Sequence, residues 1–174
     1  MAIQGGIIFA CIAAYFYLKK HQIPVLPFAD TVTPGIILGQ AIGRIANFMN
    51  GDAFGHPTGQ DFGLLYPDTT LAYHTYGAQP LWPAEVWECQ GDLLIFVLLL
   101  WYGCKTRAEG TTFCLYIMFY SLLRFFLENY RGDYGTLALG LKSAQLTSLA
   151  AFAGAFILFL YFHFKHKSNR GISK

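Results

Sequence analysis

Apolar residues run in five long blocks along this chain, separated by short polar breaks and one extended polar stretch. The blocks fall at about residues 3–18, 34–50, 91–104, 111–130 and 144–164. Segments of this length and hydropathy predict bilayer-crossing helices, because about 20 apolar residues rising 1.5 Å each span the hydrocarbon core. The first and third blocks are shorter, so neighbouring residues are expected to extend them, or they tilt. Between the second and third lies a Gly-, Pro- and Tyr-rich segment, 51–90, too long for a tight loop. It predicts a small cap outside the membrane. The expected fold class is all-α: a polytopic membrane helix bundle of about five transmembrane helices with a small extracytoplasmic cap. Residues 1–174 then form a single integral membrane domain, ending in a basic cytoplasmic tail at 165–174.

Charge inside the apolar blocks changes the picture most. Arg124, Glu128 and Arg131 lie at i, i+4 and i+7 at the end of the fourth block, which stacks them on one face of a helix. An ionised side chain in hydrocarbon costs several kcal/mol, so charges kept there are usually paired, turned inward and functional. Arg44 occupies a similar place in the second block, with Asn47 three residues on and Asn50, Asp52 and Gly55 where the helix gives way to the cap. Arginine presents a planar fork of donors suited to phosphate, and asparagine adds donors without charge. A purely structural account also exists: Arg44 pairs with Asp52 or Glu128 simply to survive burial. A third group, Glu85, Glu88 and Asp92, shares a helical face after Pro83. Glu85 suits the positive end of a helix and reads as structural. Glu88 and Asp92 sit deeper and suit the orientation of an arginine.

Composition supports a membrane protein. Hydrophobic residues make up 55% of the chain and charged ones only 13%, against about 25% in soluble domains. A net charge of +2 is too small to suggest nucleic acid. Lys19, Lys20, Lys105, Arg107, Lys165, Lys167, Arg170 and Lys174 share one side if five spans alternate, which marks that side as cytoplasmic. Arg44, Arg124, Arg131 and Lys142 gather at the other face, with the cap. The N-terminus is then outside and the C-terminus inside. The first block lacks a basic n-region and cleavage site and reads as a retained anchor. Four cysteines and five histidines show no ligand or disulfide spacing, so no metal and no cofactor is expected. Cys89 and His56 read as packing and loop residues.

These stretches together resemble the prolipoprotein diacylglyceryl transferase family. Gly43-Arg44-Ile45-Ala46-Asn47-Phe48-Met49-Asn50-Gly51-Asp52 with Gly55 is similar to the family's G-R-x-x-N-F-x-N-x-E motif and the glycine that follows it. Pro83 to Glu88 resembles H-P-x-Q-L-Y-E, and Arg124 to Arg131 resembles R-F-x-x-E-x-x-R. Gly140 to Leu149, with Gln145 and Ser148, resembles the opening of the family's last span. The likeness runs in order along nearly the whole chain. Three departures stand out. Asp52 replaces the motif's glutamate, Trp82 stands where a histidine is usual, and the His-Gly-Gly motif appears as Gln4-Gly5-Gly6, so its proton-accepting histidine is a glutamine. Family members are also longer, and this chain begins near what would be their third span.

The resemblance implies a bacterial inner-membrane enzyme. It would transfer a diacylglyceryl group from phosphatidylglycerol to the lipobox cysteine thiol in a prolipoprotein signal peptide, releasing glycerol-1-phosphate. Arg44, Arg124 and Glu128 would be catalytic, and Gln4, Asn47, Asn50, Asp52, Gly55, Glu88 and Arg131 would bind substrate. Two rivals use the same residues. One is a non-catalytic phospholipid-binding or accessory relative that lost activity; the other is a small anion channel.

Overall fold

Each of the five apolar blocks is a helix in the computed structural model, which describes residues 2–104, 108–132 and 142–172. The helices are α1 (Ala2–Lys20), α2 (Val25–Asn50), the short α3 (Leu71–Tyr76) within the cap, α4 (Ala84–Gly103), α5 (Thr111–Leu127) and α6 (Ser143–Ile172). A single 3₁₀ turn, Glu128–Tyr130, continues α5. Among the described residues there is no strand, only isolated bridges. Three helical stretches, Val25–Asn50, Thr111–Tyr130 and Ser143–Lys167, are long and apolar enough to cross a membrane. The molecule is an all-helical membrane bundle.

Three boundaries differ from the sequence expectation, each for a local reason. Helix α2 starts at Val25, not near 34. Pro27 falls in its first turn, where its missing N–H would have had no partner, and Asp30, which breaks the apolar pattern, is buried and used by a neighbouring helix. Helix α4 starts at Ala84, so the cap spans 51–83 and the Glu85, Glu88 and Asp92 face belongs to the bundle. Helix α6 runs on to Ile172, so most of the basic 165–174 segment is helical.

The core lies where α2, α4 and α5 meet. Ile37, Ile95 and Leu99 are buried there, with Phe96, Leu115, Phe119 and Leu123 against them. Helices α4 and α5 close up at Gly91, where a Cβ would stand 2.5 Å from the Leu123 methyls. Small residues of this kind let transmembrane backbones approach, and this contact draws Glu88 on α4 towards Arg124 on α5. Helix α6 packs along α5, whereas α1 leans lightly on α2. The remaining helix surface is apolar and exposed, including Phe9, Met49, Trp101, Phe126 and Phe164, as expected of faces solvated by lipid.

The cap has its own small core of Phe54, Ala72 and Leu81. It is tied to the end of α5 by backbone bonds, from the His56 N–H to the Tyr130 carbonyl (2.9 Å) and from the Gly132 N–H to the Phe54 carbonyl (3.4 Å). The Tyr76 hydroxyl donates to the Gly132 carbonyl at 3.0 Å. Trp82, Trp87 and Tyr130 meet in tilted and edge-to-face contacts at the same junction.

Candidate functional site

Glu88 is the centre of the site. It lies one turn into α4, fully buried, and its carboxylate is shared by arginines from three other segments. Arg44 on α2 donates from Nη2 to Oε1 at 2.7 Å, Arg124 on α5 from Nη1 to Oε2 at 3.3 Å, and Arg131 after the 3₁₀ turn from Nη1 to Oε2 at 3.4 Å. The Tyr120 hydroxyl adds a long bond to Oε1 at 3.4 Å. Each arrives for a readable reason. Tyr120 and Arg124 are one turn apart on α5, Gly91 brings α4 and α5 together, and the cap holds the backbone of Arg131.

Gly55 makes that last placement possible. It bridges Arg131 in antiparallel fashion, and a Cβ there would sit 2.2 Å from the Trp82 carbonyl oxygen. Gly51 ends α2 in the left-handed conformation, with the Gly51 N–H bonded to the Phe48 carbonyl and the Asp52 N–H to Asn47. This Schellman-type cap turns the chain away from the helix beside Arg44.

A second carboxylate supports the first. Glu128 is fully buried and lies 2.9 Å from Arg124 Nη2, an ion pair without hydrogen-bond alignment. Lys142, at the start of α6, is 3.9 Å from Glu128 Oε1 and donates to the carbonyls of Glu128 (2.7 Å) and Arg131 (2.6 Å). Gln145 bonds the Asn129 side chain at 3.0 Å and accepts from the Lys142 N–H at 3.0 Å. The end of α5 is thereby fastened to α6.

Exposure separates the three arginines. The Arg131 side chain is 5% exposed, whereas Arg44 and Arg124 keep 20% and 16% open. Arg44 reaches Glu88 through Nη2 and Asn47 through Nη1, and Arg124 reaches Glu88 through Nη1 and Glu128 through Nη2, while a guanidinium has five N–H donors in all. Guanidinium groups are suited to charge-assisted hydrogen bonds with anions.

The structure gathers some of the expected residues and leaves others apart. Arg44, Arg124, Arg131, Glu88 and Glu128 form one cluster, and Asn47 joins it as an acceptor from Arg44 at 3.5 Å. The structural account of Arg44 needs correction, since its carboxylate partner is Glu88 and not Asp52 or Glu128. The reason is depth: Glu88 lies on the facing helix at the level of Arg44, while Asp52 has left α2 for the cap. Among the described residues no side-chain bond links Asn50 or Asp52 to the cluster. Gln4 lies in α1, and its side chain is outside the described ones. Glu85 and Asp92 are fully buried without a hydrogen-bond partner among the described residues, so Asp92 bonds no arginine. His56 directs Nδ1–H to its neighbour's carbonyl, that of Pro57, at 2.9 Å. Sequence reasoning missed Tyr120 and the anchoring role of Lys142. Tyr120 was detectable one turn before Arg124, and Lys142 as a basic residue on the cap side.

Fold and site together define an integral membrane protein with a buried cluster of arginines and carboxylates at one end of its bundle. Residues 1–161 match the family described as prolipoprotein diacylglyceryl transferase, and the chain belongs to that family. A phosphatidylglycerol–prolipoprotein diacylglyceryl transferase of Clostridioides difficile (strain 630) is 38% identical over 170 residues, covering 97% of this chain and 64% of the relative. Proteins of the same name from Corynebacterium efficiens and Clostridium botulinum (strain 657) are 34% and 37% identical, over 92% and 86% of this chain and 53% and 59% of their own lengths. The chain thus spans between about half and two thirds of the length of these relatives.

Proposed function

We propose that this protein transfers a diacylglyceryl group from phosphatidylglycerol to the lipobox cysteine of a prolipoprotein signal peptide. The observation that carries this reading is the convergence of Arg44, Arg124 and Arg131 on the single buried carboxylate of Glu88. Arg44 and Arg124 offer their open edges to the lipid phosphate, Glu128 holds Arg124 in position, and Asn47 orients the headgroup. Gln4 of α1, and Asn50, Asp52 and Gly55 at and after the end of α2, are assigned to substrate contact. In the reaction the lipobox cysteine thiol loses its proton to solvent and the thiolate attacks the phosphate-bearing carbon of the diacylated glycerol. A C–S bond forms, the C–O bond breaks, and glycerol-1-phosphate departs with the electron pair. Charge gathers on the leaving phosphate, and preorganised guanidiniums stabilise it without reorganising.

The names of the relatives, and the order of the motifs, support this assignment. The arrangement fits a bacterial inner membrane, with five crossing helices, the N-terminus and cap outside and the C-terminus inside, because the basic residues outside the site then lie on the cytoplasmic side.

The test is transfer itself. The full chain is incubated with phosphatidylglycerol and a fluorescent lipobox peptide, beside an Arg44→Ala protein. The expected result is a lipid-shifted peptide whose formation falls about 10²-fold or more in the variant. Normal turnover by the variant overturns the assignment of Arg44. Phosphatidylglycerol binding without any product overturns the transferase reading and leaves an accessory lipid-binding protein.

A further inference from the structure

Beside the arginine cluster, a groove of about 340 Å³ runs between α5 and α6. Its lining is ordered along the helix axes. Arg124 and Ala144 stand at one end, Ser121, Thr147 and Ser148 in the middle, and Ile117 and Ala151 at the other. Both helices are among those able to cross a membrane, so the groove lies along hydrocarbon. Charge, then hydroxyls, then apolar surface is an unusual sequence for such a wall.

The hydroxyls differ in what they have left to give. Ser148 donates to the Ala144 carbonyl at 2.7 Å and Thr147 to Ala144 or Ser143 at 3.0–3.1 Å. Tyr116 and Tyr120 also line the groove, and their hydroxyls are engaged by Gln40 and Glu88. Ser121 is 5% exposed and makes no hydrogen bond among the described residues. It is a spare donor in the groove wall, three residues and roughly 4.5 Å of helix rise from Arg124.

We infer that this groove is a subsite for the glycerol-ester region and first acyl segment of a phospholipid whose phosphate is held at Arg124, with the Ser121 hydroxyl donating to an ester carbonyl. The inference rests on the reading of Arg124 as a phosphate ligand. The lining follows the order of groups in such a lipid: anionic phosphate, acceptor-only ester, then hydrocarbon. A peptide helix fits poorly. At roughly 10 Å across it would fill this volume in about 4 Å of its length, less than one turn. An extended acyl chain is far narrower.

The full chain is placed in phosphatidylcholine nanodiscs with phosphatidylglycerol carrying a diazirine beside the ester, irradiated, digested and mapped. Adducts are expected at residues 117–121 and 144–151, and they should fall at least five-fold in Ala151→Trp, which fills the groove from an exposed position. A phosphatidylcholine probe with the same diazirine should label them far less. Equal labelling by both lipids, adducts elsewhere, insensitivity to Ala151→Trp, or displacement of the lipid adducts by a lipobox peptide carrying serine in place of its cysteine would each overturn the subsite. Ser121→Ala should raise KM for phosphatidylglycerol about 2- to 10-fold at nearly constant kcat, as expected for one neutral hydrogen bond, and Ser121→Thr should restore it. An unchanged KM in Ser121→Ala removes Ser121 from the subsite. A wild type that forms these adducts but never lipidates peptide keeps the subsite and loses the transferase reading. One that lipidates peptide but labels elsewhere does the reverse.

Discussion

The two ends of α5 are each met by a buried acid from another helix, and the two acids are used in opposite ways. At the N-terminal end Asp30 of α2 accepts the Gly110 N–H at 2.8 Å on Oδ2 and the Phe113 N–H at 2.9 Å on Oδ1. The donors are backbone groups that an α-helix leaves unpaired in its first turn, and a carboxylate there also meets the positive end of the helix dipole. The donors are fixed and the acid is 6% exposed, so nothing remains for a ligand. At the C-terminal end Glu88 of α4 serves Arg44, Arg124 and Arg131. Those donors sit on long side chains, two of which keep an open edge. The difference shows two uses of a buried acid: fixed backbone donors lock Asp30 in, whereas Glu88 gathers long side chains from three segments, the arrangement on which the proposed phosphate site rests.

Removing Glu88 should break the comparison most severely. Glu88→Ala leaves guanidiniums buried without their shared partner, which costs about 3–5 kcal/mol, so the melting temperature in micelles should fall sharply and transfer should cease. A Glu88→Ala protein that melts with the wild type would mean the cluster is not coupled to the fold. Asp30→Ala should come next. It orphans two buried N–H groups, for about 2–4 kcal/mol in chemical unfolding, yet turnover per folded molecule should be unchanged well below the melt. A fall in kcat at constant stability would show that Asp30 belongs to the reaction after all. Arg124→Lys keeps the charge and loses the fork. Transfer should drop roughly 10- to 100-fold, the worth of a charged hydrogen bond, with a smaller loss of stability than in Glu88→Ala because the buried carboxylates keep a positive partner. Equal kinetics with lysine would reduce Arg124 to a point charge. Tyr120→Phe should have the smallest effect. It deletes one 3.4 Å bond to Glu88, for about 0.5–1 kcal/mol, and a larger loss would place the phenol against substrate.

Legibility in the sequence depended on whether a signal was local. The five helical blocks were readable because long apolar runs need no partner to be recognised. The shared face of Arg124 and Glu128 was readable from helical periodicity, and the structure places the pair 2.9 Å apart. The start of α2 was not, because Asp30 and Pro34 look like interruptions until the helix that consumes Asp30 is in place. Asp92 shows the converse error. Its spacing from Glu88 suggested an arginine partner, but sharing a face fixes direction, not reach, and its carboxyl bonds none among the described residues.

By itself the sequence determined that this chain is a helical membrane protein, which residues carry charge into the bundle, and to which family their motifs belong. Tertiary structure alone decided that Glu88 is the common partner of Arg44, Arg124 and Arg131, that Gly55 and Gly91 set the approaches bringing them there, and that α5 and α6 leave a groove beside Arg124. The physical reason is range. Hydropathy and helical phase are properties of neighbouring residues, whereas a carboxylate shared across up to 44 residues of chain exists only once packing has chosen which helix faces meet.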